Sequence, residues 1–129
     1  MRLIILFIFC FSLIARSQDL TDSLNCIEKS VKYIEGEDFD VERPIVVYLK
    51  DLRLHNSLRE RGVVKTVKNG EEFFNTGYCS YLKFSMIDVS SKKAKISFKI
   101  DNACDHSTNS DESKLTIYLA KRNGVWTVE

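Results

Sequence analysis

A chain of 129 residues, 44% of them hydrophobic, is enough for one compact domain and short for two. Eight phenylalanines and five tyrosines can fill a core, which excludes a disordered chain. Nineteen basic against eighteen acidic residues leave a net charge of +1, so no overall field steers the protein onto nucleic acid or an anionic membrane.

The N-terminus speaks to location. Met1-Arg2 is a short basic start, Leu3–Ile14 an almost unbroken apolar run, and Ala15-Arg16-Ser17 places small residues where a signal peptidase reads. That order is the one of a secretory signal peptide. The apolar run holds twelve residues, against about 20 needed to span a bilayer, so cleavage is expected rather than anchoring. Lipidation at Cys10 is disfavoured because Phe9 stands where a small residue is wanted. The expectation is a signal peptide over Met1–Ser17, a single domain over residues 18–129, secreted or periplasmic, and no stable membrane insertion after cleavage.

Cys10 would leave with the signal, so Cys26, Cys79 and Cys104 would remain in an oxidising compartment. An odd number allows at most one intrachain disulfide. Cys79 lies near the start of one expected strand and Cys104 just past the end of its hairpin partner, which favours Cys79–Cys104. Pairings of Cys26 with Cys79 or Cys104 stay open, because strand register is not fixed by sequence. With Cys79 and Cys104 paired, Cys26 would be a buried thiol or a dimer bridge.

From Asp19 to Glu35 the spacing of Leu20, Leu24, Ile27, Val31 and Ile34 predicts an amphipathic helix, capped by Asp19 or Thr21 and ended by Gly36. Its polar face mixes both signs, as on a helix packed against a sheet. Glu37–Glu42 is an acidic connector, and Pro44 marks a boundary. Ile45–Leu49 reads as a short strand and Asp51–Arg61 as a second helix stopped by Gly62; one helix running straight through from Pro44 is the alternative. Val63–Val67 follows as a strand, with a turn at Asn69-Gly70 and a helical turn over Glu71–Asn75.

The C-terminal half is clearer. Leu82, Phe84 and Met86 alternate with polar residues before Ile87 and Val89 switch face, which predicts a bulge. After a turn at Ser90–Lys93, Ala94, Ile96, Phe98 and Ile100 alternate with Lys95, Ser97 and Lys99. A polar loop over Cys104–Ser113 leads to strands Leu115–Ala120 and Val125–Val128 around Asn123-Gly124. The expected fold class is α+β, an N-terminal helix packed on an antiparallel, meander-type curved sheet in two layers.

The strand ending in Lys99-Ile100, the strand Leu115–Ala120 and the closing Asn123-Gly124-Val125-Trp126-Thr127-Val128 resemble the last strands of NTF2-like and cystatin-like secreted bacterial domains. The likeness covers Tyr78–Glu129. It implies a curved sheet wrapped around an N-terminal helix and carries over no catalytic residue. The three-helix opening of NTF2-like domains and the Gln-x-Val-x-Gly segment of inhibitory cystatins are both absent from this chain.

Templates for catalysis are not met. Cys104-Asp105-His106 lacks the recurring spacing of a zinc site, and His55 and His106 form no His-x3-5-His pair. The acidic loop Asp101–Glu112 lacks the spaced calcium pattern with its central glycine. No Gly-rich phosphate loop or Gly-x-Ser-x-Gly elbow occurs. No metal and no cofactor is expected. Asp88, between Ile87 and Val89, is the acidic residue best placed for an apolar setting. Lys92, Lys93, Lys95 and Lys99 read as a basic edge that discourages strand pairing.

Phe73, Phe74, Tyr78 and Tyr81 precede a strand and are expected at the open rim of the sheet, as contacts for a ligand. The reading is a non-enzymatic binding module for a protein partner or a small apolar ligand, monomeric or weakly dimeric, not a nucleic-acid binder. The alternatives are an NTF2-like pocket enzyme of isomerase or hydrolase type, and a structural envelope protein dimerising through Cys26.

Overall fold

The computed structural model describes the backbone of residues 2–37, 39, 43–102 and 114–129, and the side chains of residues 19–37, 39, 43–101 and 114–129. Helix α1 spans Arg2–Gly36. Strand β1 (Val46–Tyr48) is followed by helix α2 (Leu52–Arg61), strand β2 (Lys65–Val67) and a short helix α3 (Gly70–Phe74). Strands β3 (Ser80–Val89), β4 (Lys93–Asn102), β5 (Lys114–Arg122) and β6 (Val125–Val128) complete the chain. The class is α+β, with a curled six-stranded sheet.

The helical stripe is buried as its spacing requires. Leu24, Ile27, Val31 and Ile34 lie in the core and Leu20 packs at its border. Opposite them stand Leu82 of β3, Ile96 and Phe98 of β4, Ile117 and Leu119 of β5 and Trp126 of β6. Each such side chain contributes about 1.5–3 kcal/mol by leaving water. The expected N-cap at Asp19 or Thr21 falls inside α1, because no proline or glycine interrupts the chain between Arg2 and Gly36. The side chains of the expected signal segment lie outside the described residues.

Strand followed by helix is the outcome over residues 44–62. Asp51 caps α2 by accepting hydrogen bonds from the backbone N–H groups of Arg53 and Leu54. Gly62 ends the helix at φ 68°, a left-handed position that favours glycine. Arg61 ties this end to α1, donating to Asn25 at 2.9 Å and pairing with Glu28 at 3.2 Å. Asn69 proves to be the N-cap of α3, accepting from the N–H of Glu72.

The sheet order is β2-β1-β3-β4-β5-β6. Strands β3 to β6 form the expected antiparallel meander. The sheet as a whole is mixed rather than antiparallel throughout, since β1 runs parallel to both β2 and β3. The cause is the connection: a strand that leaves through a helix returns in the same direction, which makes β1-α2-β2 a crossover unit.

The bulge in β3 falls between Phe84 and Met86. It keeps Leu82, Phe84, Ile87 and Val89 on the core side and turns Met86 outward, where it is 39% exposed. Asn123 (φ 53°) and Gly124 (φ 76°) make the tight turn between β5 and β6, the paired left-handed residues that match the twist of a two-residue hairpin.

Candidate functional site

Alternation along the strands gives the sheet a second face, turned away from α1. In β1, Ile45, Val47 and Leu49 belong to the core, whereas Val46 and Tyr48 project outward. With Val67 of β2 and Phe73 of α3 they build a separate outer cluster, bordered by Tyr78 and Tyr81. The Phe73 and Tyr81 rings are 4.5 Å apart at 57°, and those of Tyr48 and Tyr81 are 5.9 Å apart at 46°. Three of the four aromatic residues singled out by sequence thus come together, and Tyr48 joins them although its position in the sequence did not set it apart. Its alternation with Val47 in a three-residue strand was too short a signal. Phe74 is not part of the cluster: it stands on the solvent side of α3, 82% exposed.

The shelf is polar at its margins. The Tyr81 hydroxyl donates to Asp101 Oδ2 at 2.9 Å. Burial first, and that hydrogen bond second, push the loss of its proton up to about 12, so the hydroxyl remains a donor at neutral pH. Lys65 Nζ sits 4.7 Å from the Tyr78 ring centre and Lys83 Nζ 5.6 Å from that of Tyr48, both within cation–π reach.

Further along the outer face, lysines line up. The register pairs Tyr48 with Lys83, Lys83 with Lys99, and Lys99 with Lys114. One cross-strand row therefore carries three lysines next to a tyrosine. The expected basic edge is corrected here: β4 lies in the interior of the sheet, between β3 and β5, so Lys93, Lys95 and Lys99 guard no edge. Their spacing along the chain was legible, whereas their neighbours on β3 and β5 depended on register.

The other candidates fall elsewhere. Asp88 faces outward opposite Lys95 and is exposed rather than set among apolar groups, because the bulge shifts it off the core side. Asp105, His106, Asp111, Glu112 and Cys104 lie outside the described residues. Cys79 is disulfide-bonded. Cys26 is a free thiol with 0% exposure, and burial first, then Asp22, push its ionisation up to about 12. Of the two expectations for Cys26, a buried thiol or a dimer bridge, its burial matches the first. No group of three His, Cys, Asp or Glu suited to a metal occurs among the described residues. Among them also, no helix is long and apolar enough to cross a membrane.

A pocket enzyme would need an enclosed cavity between helix and sheet. Ile27, Ile34, Ile96 and Phe98, each 0% exposed, occupy that space. Hollows of ligand size lie on the surface instead, one of about 450 Å³ along β2 between Arg59, Lys65 and Glu72, another of about 340 Å³ against Val63, Val125 and Trp126.

His55 on α2 has no signal in the sequence beyond its type. It is 1% exposed, and neither ring nitrogen has a hydrogen-bond partner. Burial lowers its pKa from 6.5; Glu72 opposes that shift, and Arg59 and Lys68 add to it. Below the unfolded value of 6.5 the unfolded chain takes up a proton that the folded chain resists, so stability falls as pH drops from there toward the lowered folded value. Thermal melts from about pH 8 to 5 should show this acid-side loss, and His55→Leu should flatten it. An unchanged pH profile in that variant would place the acid sensitivity in other groups.

No protein-family model, no curated protein and no solved structure matches this chain.

Proposed function

We propose that this chain is an exported, non-enzymatic binding module that holds a protein partner or a small apolar ligand on the outer face of its sheet. The observation that carries the reading is the aromatic shelf built outside the main core, in which the half-buried Tyr48, Tyr78 and Tyr81 pack on the buried Phe73. Partly exposed aromatic rings gathered in one place mark contact sites more often than isolated ones do. The filled helix–sheet interface weighs against a pocket enzyme.

Export is supported by the basic, apolar and small-residue order of Met1–Ser17. A Cys79–Cys104 disulfide fits it. Ser80 pairs with Asn102, which lies two residues before Cys104 in the sequence, and Cys26 is free. The long N-terminal helix α1 seated against a curled sheet is compatible with an NTF2-like or cystatin-like relationship, while the parallel β1-α2-β2 unit departs from the simple meander.

Native mass spectrometry of the protein recovered from its own envelope or medium tests the reading. A bound mass is expected on the wild type and is expected to be lost from Tyr78→Ser, with circular dichroism checking that the variant still folds. Retention of that mass by folded Tyr78→Ser and Tyr48→Ser would overturn it.

A further inference from the structure

We infer that the free edge of β2 takes an extended peptide segment of a partner protein, which adds as a further strand and sets a hydroxyl-bearing side chain against Thr66. The site lies apart from the aromatic shelf and does not depend on it.

The backbone of β2 determines which groups are on offer. Among the described residues β2 ends the sheet and is bonded on one side only, by β1. The C=O of Val67 accepts from the N–H of Leu49, so Val67 turns its polar groups toward β1. Alternation along a strand then turns the N–H and C=O of Thr66 away from the sheet. At Lys68, which shares that outward orientation, the N–H already donates to Glu72 Oε2 at 3.2 Å. A lysine on an edge strand ordinarily discourages pairing. Lys65 guards this edge poorly, because its ammonium is drawn over the Tyr78 ring, 4.7 Å from the ring centre.

The side chain of Thr66 is orphaned as well. It is 8% exposed, and its Oγ1 has no hydrogen-bond partner among the described residues. A buried hydroxyl left without a partner is destabilising. Thr66 lines the hollow of about 450 Å³, whose walls include Pro44, Val63 and Val64 and whose rim carries Arg59 and Glu72. A strand laid beside β2 would place one side chain next to Thr66, where a threonine or serine makes the missing bond across the strands.

These features select a peptide over a charged polymer. Unpaired donors and acceptors on a strand edge are matched by a peptide backbone through strand addition. The rim is not of one sign, since Arg59 and Glu72 lie 3.6 Å apart as an ion pair. A polyanion would meet Glu72 and a polycation would meet Arg59 and Lys65, whereas a neutral backbone meets neither opposition. The valine and proline walls suit the apolar remainder of an extended segment.

The test uses the folded, oxidised protein and a displayed library of random dodecapeptides. In the free protein, amide hydrogen exchange followed by NMR should be about tenfold or more faster at Thr66 than at Val67. Selected peptides should slow exchange at Thr66 by about tenfold or more, and N-methylation of their alternate amides should abolish binding. Thr66→Val keeps the shape, removes the hydroxyl and should weaken binding about tenfold, while the free protein becomes no less stable. Val63→Asp, at an exposed position on the wall, should also weaken binding. Val125→Asp, at an exposed position on β6, should bind as the wild type does.

A Thr66 amide as protected as that of Val67 in the free protein would mean that the edge is already covered, and would overturn the inference. Protection that grows with protein concentration would identify a second copy of the chain as the occupant and sink it equally. So would failure to select any peptide, or full retention of binding by either Thr66→Val or Val63→Asp. Peptides that leave exchange at Thr66 unchanged and are lost from Tyr78→Ser would move the contact to the shelf; the strand-addition inference then fails while the outer-face reading stands.

Discussion

Phe98→Ala is expected to remove about 3–5 kcal/mol of stability. That is a large share of the roughly 5–15 kcal/mol available to a domain of this kind. Phe98 is 0% exposed in the middle of β4, opposite Phe84 and Leu115, with the Phe84 ring 6.1 Å away. It faces the stripe of α1, so truncation opens a void in the layer joining helix to sheet. Urea unfolding followed by far-UV circular dichroism should show a much lower midpoint at unchanged slope. Phe98→Leu, which keeps most of the volume, should lose markedly less. A loss below about 1 kcal/mol for alanine would mean that the helix is not held where the buried stripe places it.

The second large effect is expected at Asp22. Its Oδ1 accepts from the Trp126 indole N–H at 3.0 Å and from Lys121 Nζ at 3.1 Å, joining the first helix to the last hairpin. Lys121 and Trp126 are cross-strand partners, with the ammonium 5.7 Å from the indole. Asp22→Ala leaves a buried N–H without an acceptor and a largely buried ammonium without its counter-ion. Breaking a fully buried pair costs about 3–5 kcal/mol. The carboxylate and ammonium side chains keep 11% and 21% of their exposure, so solvent screening brings the expectation down to about 2–3 kcal/mol. Asp22→Asn keeps an acceptor for the indole and should lose less. Combining Asp22→Ala with Lys121→Met removes the stranded charge and should recover part of the loss, and a double-mutant cycle in urea measures that coupling. Additive effects would show that the two side chains do not act together.

The elements that the sequence made legible share a feature: each writes its partner's side into its own spacing. Leu20, Leu24, Ile27, Val31 and Ile34 announce one buried stripe, and all five meet the core. Gly62 and Asn123-Gly124 announce turns, because left-handed backbone favours such residues. The bulge in β3 was visible as a break in alternation, though Met86 was expected on the apolar side, since alternation alone does not say which residue is the extra one. Asp22 and His55 were not legible at all. A lone polar residue on a helix carries no mark of whether it will be buried, paired or orphaned.

Local pattern by itself determined the α+β class, the meander of the C-terminal half and the helix that covers it. Period and turn chemistry are properties of neighbours along the chain. Tertiary structure alone decided that β1 joins β2 and β3 in parallel, that Tyr48 meets Tyr81, and that Lys83, Lys99 and Lys114 stand in one row. Those outcomes depend on strand order and register, which long-range packing sets and single-sequence periodicity does not encode. Composition showed a nearly neutral chain, and only the fold brought three of its lysines into one cross-strand row.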